Sequence, residues 1–263
     1  MLRLSNWAVV YEKAINPDGS LFFPQKLTKE FLEDAQKVMG SFMFANQYLN
    51  EIIPSDRQVF NKDWFKYYMA VPKKHMTFAM IDPAISQEDS ADYTALVVVK
   101  TDEMGNWYVV YAGRKRMTPT EIVELVFKVQ EKFDCQSIGI EDVAYQKALL
   151  YLVAEEMKRR KVVLPVTGVK PPTNKTKEMK ILSLVPRFEW GQMYLAQGLT
   201  DLELELAQFP RGAHDDLIDA LASIEAIISY PQTERIDPNE RPAPNHPDYE
   251  QWYRRQLYRK AKG

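Results

Sequence analysis

The sequence has a single cysteine, Cys135, and no apolar run approaching the ~18 residues of a membrane span. None of its ten glycines opens a GxxxxGK[ST] phosphate loop. One cysteine excludes an internal disulfide framework and a cysteine-rich zinc site, and reads as a small buried hydrophobe in a reducing compartment. The missing phosphate loop excludes a recognisable ATP-hydrolysing motor of that type. Residues 1–10 lack the charged region and apolar stretch of a signal peptide, so a soluble, cytoplasmic chain with no membrane partner is expected. An excess of charge of one sign is lacking too. The 34 lysines and arginines against 36 aspartates and glutamates leave a net charge of −2, so any nucleic-acid footprint must be a local patch.

What is present in the 263 residues is enough for one large domain with attachments or two small ones. Residues 1–70 are dense in aromatics, with short helices expected over Lys29 to Met39, capped by Thr28, and over Lys62 to Met69. From Met76 the pattern alternates. Phe78 to Ile81, Ala95 to Val99 and Trp107 to Ala112 read as strands with short links, hence an antiparallel meander. Thr118-Pro119-Thr120-Glu121 is a capping box with proline at the first helical position, ahead of the apolar face Ile122, Val126, Val129 and Phe133. Strand Ser137 to Ile140, helix Tyr145 to Arg160 and strand Val162 to Val166 follow, and this strand-helix-strand run demands parallel pairing. Lys175 to Phe188 and His214 to Ser229 read as further helices. Beyond Tyr230, five prolines mark a linker before a basic aromatic segment, Tyr249 to Lys262.

A three-strand meander followed by helices and two parallel strands is the RNase H-like arrangement: an α/β fold with a mixed five-stranded sheet flanked by helices. Its acids sit at the ends of the first and fourth strands and on a late helix. Those places hold Asp82, Glu141-Asp142, and His214-Asp215-Asp216-Leu217-Ile218-Asp219. Clustered carboxylates repel unless cations lie among them, and hard oxygen donors suit magnesium or manganese. Glu141 and Asp142 are adjacent and in extended chain point to opposite faces, so one of them serves; Asp142 is the expectation and Glu141 the alternative. At 3.6 residues per turn Asp215 and Asp219 fall about 40° apart, with Ala222 and Ala226 continuing that face and permitting close approach to the sheet. One helix cap needs one carboxylate, and three acids with a histidine exceed that need. Asp82, Asp142, Asp215 and Asp216 are therefore the expected catalytic and metal-binding set, with Glu141, Asp92, His214 and Asp219 as supporting residues or alternative ligands. Lys158 to Lys161, Lys170, Lys175, Lys177, Lys180 and Arg187 form a stretch poor in acids; Lys175, Lys177, Lys180 and Arg187 are the expected DNA contacts, against the plainer reading of a solvated helical face for Lys158 to Lys161.

At these residues the chain resembles the C-terminal nuclease domain of phage terminase large subunits. The resemblance rests on the ordered set MIDPA, ADYTALVVV, GIEDVAYQ, KEMKILSLVPRFEWGQMYL and HDDLIDALA, and on an upstream LFFPQKLTKEFLEDAQKVMG and FANQYLNEIIP that look like the stretch joining motor to nuclease. It implies a linker segment over 1–70, a nuclease domain over 71–230, and a proline-rich linker with a basic tail over 231–263. It also implies an endonuclease that uses two divalent cations, Mg2+ or Mn2+, to hydrolyse double-stranded DNA with little sequence preference, cutting concatemeric viral genomes in the cytoplasm of an infected bacterium. An ATPase motor absent from this chain, a small terminase subunit and a portal are the implied partners. The family's usual lysine-then-arginine in the loop before the penultimate helix is replaced here by Lys175, Lys177 and Lys180. Two other readings remain: a junction-resolving nuclease of the same fold, which prefers branched DNA, and a non-catalytic docking module, which cuts nothing.

Overall fold

The computed structural model describes residues 12–51, 58–83, 93–141, 146–171, 173 and 176–231. Residues 1–230 form one compact unit and 231–263 a second, so the expected linker and basic tail lie outside the described residues apart from Pro231. No helix among the described residues is long and apolar enough to cross a membrane.

Among the described residues, seven strands make one mixed sheet: β1 (Lys66–Tyr67), β2 (Met76–Asp82), β3 (Thr94–Thr101), β4 (Trp107–Lys115), β5 (Ser137–Glu141), β6 (Val166–Val169) and β7 (Met193–Leu195), in the order β1-β7-β4-β3-β2-β5-β6. β2, β3 and β4 are the antiparallel meander, and β5 and β6 add in parallel beside β2. This is the RNase H-like arrangement expected from the sequence, enlarged by two short parallel strands at the β4 edge. Alternation along the strands builds two cores, one per face. Phe78, Met80, Ala95, Val97, Val99, Trp107 and Val109 point to one face; Ala79, Ile81, Leu96, Val98, Ile138 and Ile140 point to the other.

The second face is covered by α2 (Pro119–Phe133) and α3 (Gln146–Arg160). The expected capping box of α2 is present, with the Thr118 and Glu121 side chains each bonded to the other's backbone amide. Cys135 is buried there, and burial pushes its thiol up to about 12, as suits a packing residue. The first face is covered by α4 (Lys177–Leu182), α5 (Val185–Glu189), α6 (Thr200–Gln208) and α7 (Asp216–Ser223).

Several boundaries differ from expectation for local reasons. The helix expected over Lys62 to Met69 is a 3-10 turn (Lys62–Trp64) followed by β1: Phe60 is sunk among Phe188 and Phe209, and the chain then pairs with β7 at Lys66↔Tyr194. The strand expected over Val162 to Val166 begins at Val166 instead. Pro165 has no amide to give a ladder, although its carbonyl accepts from Ile138. The helix expected from Lys175 to Phe188 breaks after Leu182, and Pro186 sits in the first turn of α5, where its missing amide costs nothing. The last helix stops at Ser223 and passes into a 3-10 turn, Ile224–Ala226. α1 (Lys29–Tyr48), capped by Thr28 as expected, runs on past Met39 through a kink at Gly40, whose φ of 74° a side chain would strain. A Cβ there would lie 3.2 Å from Pro186 Cγ, so glycine also permits the approach of α1 to α5.

Candidate metal centre

Three carboxylates meet at one end of the sheet on its first face. Asp82 ends β2 in phase with Phe78 and Met80, and therefore points to the side on which α7 lies. Glu141 ends the parallel neighbour β5, whose register with β2 (Ile81↔Ile140) sets Glu141 beside Asp82. Asp219 comes from α7, which packs across β3 and β2 with Leu217 through Ser223 all buried. One oxygen from each of Asp82, Glu141 and Asp219 lies within 4.8 Å of the others. Gly139 helps at this edge: a Cβ on it would lie 2.7 Å from Met80 Sδ and 3.1 Å from Ile227, where the chain leaving α7 crosses β5.

The electrostatics are those of crowded, largely buried carboxylates. Burial first, then a hydrogen bond and charge repulsion from Glu141, push Asp82 up to about 8. Asp219, 5% exposed, is likewise raised by burial and by Glu141, against the pull of Lys180 and Lys177. Lys180 is the compensating charge. Its Nζ lies 2.5 Å from Asp219 Oδ1 and 3.6 Å from Glu141 Oε1, and donates to Ser223 Oγ at 2.9 Å. The Lys180 ammonium is thus the charge partner of the buried Asp219 Oδ1. Three converged carboxylates offer hard oxygen donors of the kind that suit a hard divalent cation.

The other expected residues fall around this cluster or away from it. Asp215, outside the helix as its N-cap, is 43% exposed and accepts from Lys177 Nζ at 2.8 Å. Lys177 also lies 3.6 Å from Asp219; burial opposes its charge, but Asp215 and Asp219 outweigh that and leave its pKa raised. Asp216 turns toward β4, 3.8 Å from Arg114 and 3.9 Å from His214, with its pKa raised chiefly by burial. Asp142, Asp92 and Lys175 lie outside the described residues. Arg187 is at the far end of the sheet, stacked on Trp107 and donating to the carbonyl of Gly105 in the β3–β4 turn and to Tyr230 Oη. Of the run Lys158 to Lys161, the first three residues belong to α3 on the opposite face, where Lys158 pairs with Glu155, Arg159 with Glu156, and Arg160 with Glu156 and Glu124. Those three serve as a paired helical surface, away from the acids.

Two residues at the site are not visible in the sequence pattern. Arg114, near the end of β4, and Glu205, in the middle of α6, form a nearly buried ion pair behind α7. Glu205 stands in TDLELELAQ with the same flanking leucines as the half-exposed Glu203, and only the three-residue step from Leu202 with Leu206 next to it hints that it turns inward.

The meander, the parallel strands added beside it and the acidic sheet end define an RNase H-like protein. Residues 79–225, more than half of the chain, match the family model described as the terminase RNaseH-like domain, and the chain belongs to that family. No curated protein matches it. Among solved structures it is similar to the large terminase of a thermophilic bacteriophage in complex with ADP, with a TM-score of 0.56 and 12% identity over 77% of this chain and 53% of that one. This chain thus spans about half the length of that large terminase. The large terminase nuclease from thermophilic phage G20c with bound zinc aligns at a TM-score of 0.44 and 18% identity, over 64% of this chain and 97% of that one. T. thermophilus RuvC in complex with a Holliday junction substrate aligns at 0.34 and 18%, over 57% and 90%.

Proposed function

We propose that this chain is a metal-dependent endodeoxyribonuclease that cuts double-stranded DNA with little sequence preference, severing concatemeric viral genomes during packaging in the bacterial host cytoplasm. The observation that carries the reading is the convergence of Asp82, Glu141 and Asp219 within 4.8 Å at the sheet end. Membership of the terminase RNaseH-like family supports the setting: an ATPase motor on a separate part of the machine, a small terminase subunit and a portal as partners.

Asp82, Glu141 and Asp219 would hold the divalent cations, Mg2+ or Mn2+, with Asp215 and Asp216 at the rim and Asp142 next along the chain as further ligands in a two-cation arrangement. Bound there, such cations lower the pKa of a coordinated water and offset charge on the phosphate as its ester bond breaks. The protein's own part is to keep three oxygens converged against their repulsion, with Asp82 and Asp219 held in a setting where burial disfavours their charge until a cation enters. Sequence tolerance follows if the chain grips phosphates and not base edges.

The test is nicking of supercoiled plasmid and cutting of linear duplex with Mn2+, Mg2+ or chelator. Cleavage that needs either metal and stops in chelator is expected; no cleavage under any condition defeats the proposal. Strong preference for a four-way junction over linear duplex would favour a resolving nuclease of the same fold instead. Lys177 is the described cation best placed to meet a phosphate, half-exposed at the rim beside Asp215. Lys177→Ala, alone or with Lys175→Ala, is expected to weaken duplex binding and to lower the salt dependence of log K by about one for each phosphate that the lysines neutralise. An unchanged slope would remove Lys177 from the DNA surface.

A further inference from the structure

The helix that carries Asp219 does not cap itself. α7 begins at Asp216, its N-cap residue Asp215 makes no side-chain hydrogen bond to the helix, and Asp215 is instead drawn outward to Lys177. The first amides of a helix have no partner within it, and a buried helix end cannot leave them unsatisfied. Here they are met from another helix. Glu205 Oε2 accepts from Leu217 N at 2.8 Å and from Ile218 N at 3.1 Å, while Oε1 pairs with the Arg114 guanidinium on β4. Glu205 is 3% exposed and Arg114 little more open, so this is a carboxylate sunk behind the helix, held at two points by α7 and at a third by the sheet.

We infer that Glu205 is a positioning residue for the metal centre: by capping α7 in trans and tying it through Arg114 to β4, it sets the rotation and depth of the helix and so the place of Asp219 beside Asp82 and Glu141. The inference rests on the reading of those three acids as the metal site. Asp219 lies one helical turn from the cap, with its amide bonded to the Asp215 carbonyl at 2.9 Å, so a shift at the amides of Leu217 and Ile218 is passed to it through a single rigid turn. Two functions fall to one side chain because the carboxylate has two oxygens: one faces the helix, the other the sheet.

Reach and charge can be separated by two conservative variants. Glu205→Asp keeps the charge beside Arg114 but is one methylene too short to bond both amides. Glu205→Gln gives up the charge but keeps an oxygen that reaches them. Leu202→Ala, one turn earlier on the same buried side of α6, is the control for general loosening. Mn2+ binding to each full-length protein is measured by calorimetry below its melting temperature, with plasmid cleavage alongside. Glu205→Asp is expected to bind Mn2+ about 10-fold or more weakly, the range seen when a partner that orients a metal ligand is removed. Its kcat falls, and duplex DNA affinity in chelator is unchanged. Glu205→Gln keeps the bonds to the amides but turns an NH2 toward Arg114, so it is expected to lose less Mn2+ affinity than Glu205→Asp while melting earlier, and Leu202→Ala to melt earlier with natural metal affinity. Glu205→Asp binding Mn2+ normally overturns the inference, and so does an equal loss in Leu202→Ala. If the natural protein takes up no Mn2+, the reading of the acid cluster itself fails and the inference falls with it; uptake by the natural protein and by Glu205→Asp alike removes the inference alone.

Discussion

Asp82→Asn and Asp219→Asn are each expected to reduce metal-dependent plasmid nicking by about 10³-fold or more, equivalent to about 4 kcal/mol of transition-state stabilisation, while leaving the protein folded. The size follows from the donor set. Each substitution removes one of the three converged carboxylates, and an amide oxygen is a poor substitute where the ligand's charge must offset that of the ion. Folding is expected to survive for the opposite reason. Burial and the neighbouring acids oppose ionisation of both groups, so a neutral isostere relieves repulsion in the metal-free state. The melting temperature in chelator should therefore hold or rise in Asp82→Asn, while in Asp219→Asn the loss of the carboxylate beside Lys180 offsets that relief; the gain in melting temperature on adding Mn2+ should shrink in both variants. Natural nicking rates in both would place the chemistry elsewhere.

Lys180→Met is the converse case. Even with Asp82 pushed up to about 8, the cluster presents negative charge in a buried setting, and Lys180, only 11% exposed along its side chain, is the cation inside it. Removing one partner of a buried ion pair costs about 3–5 kcal/mol, because the charge left behind is uncompensated. Methionine keeps most of the side-chain volume, so the loss is electrostatic. For a domain of this size that corresponds to roughly 10 °C in melting temperature in chelator. Mn2+ should recover much of it, since the ion supplies the missing positive charge. If Lys180→Met melts with the natural protein in chelator, the lysine is not the counter-charge of the cluster. Asp82→Asn and Lys180→Met should thus move metal-free stability in opposite directions at a single site, the trade expected where function demands crowded like charges.

Local chemistry explains how far the sequence could be read. The meander β2–β4 and the helix α2 are legible because their signals are short-range: alternation of period two, a tight turn at Glu103 to Asn106, and a capping box contained within four residues. Asp82 is legible for the same reason, standing where an apolar strand ends before a proline. The pair β1 and β7 was not legible. Two and three residues long, and joined only to each other and to β4, they carry no period of their own and exist because the β4 edge was open to pairing. Glu205 was hidden because an inward glutamate on an amphipathic helix looks like an outward one until its partner, Arg114, arrives from β4, 91 residues away.

The order of strands and helices and the three places where acids gather are written within a few neighbouring residues each, and so could be read before any folding was known. Which of the described acids meet one another was decided in three dimensions. In Glu141-Asp142 the register of β5 against β2 turns Glu141 toward the face on which α7 lies. In His214-Asp215-Asp216-Leu217-Ile218-Asp219 the rotation of α7, held by Glu205 on one side and by the packing of Ile218, Ala220 and Ala222 on the other, presents Asp219 to Asp82 and leaves Asp215 to Lys177 and Asp216 to Arg114. Periodicity states which face of a helix is apolar; the surfaces it packs between fix how that face is turned, and a turn of one residue is about 100°.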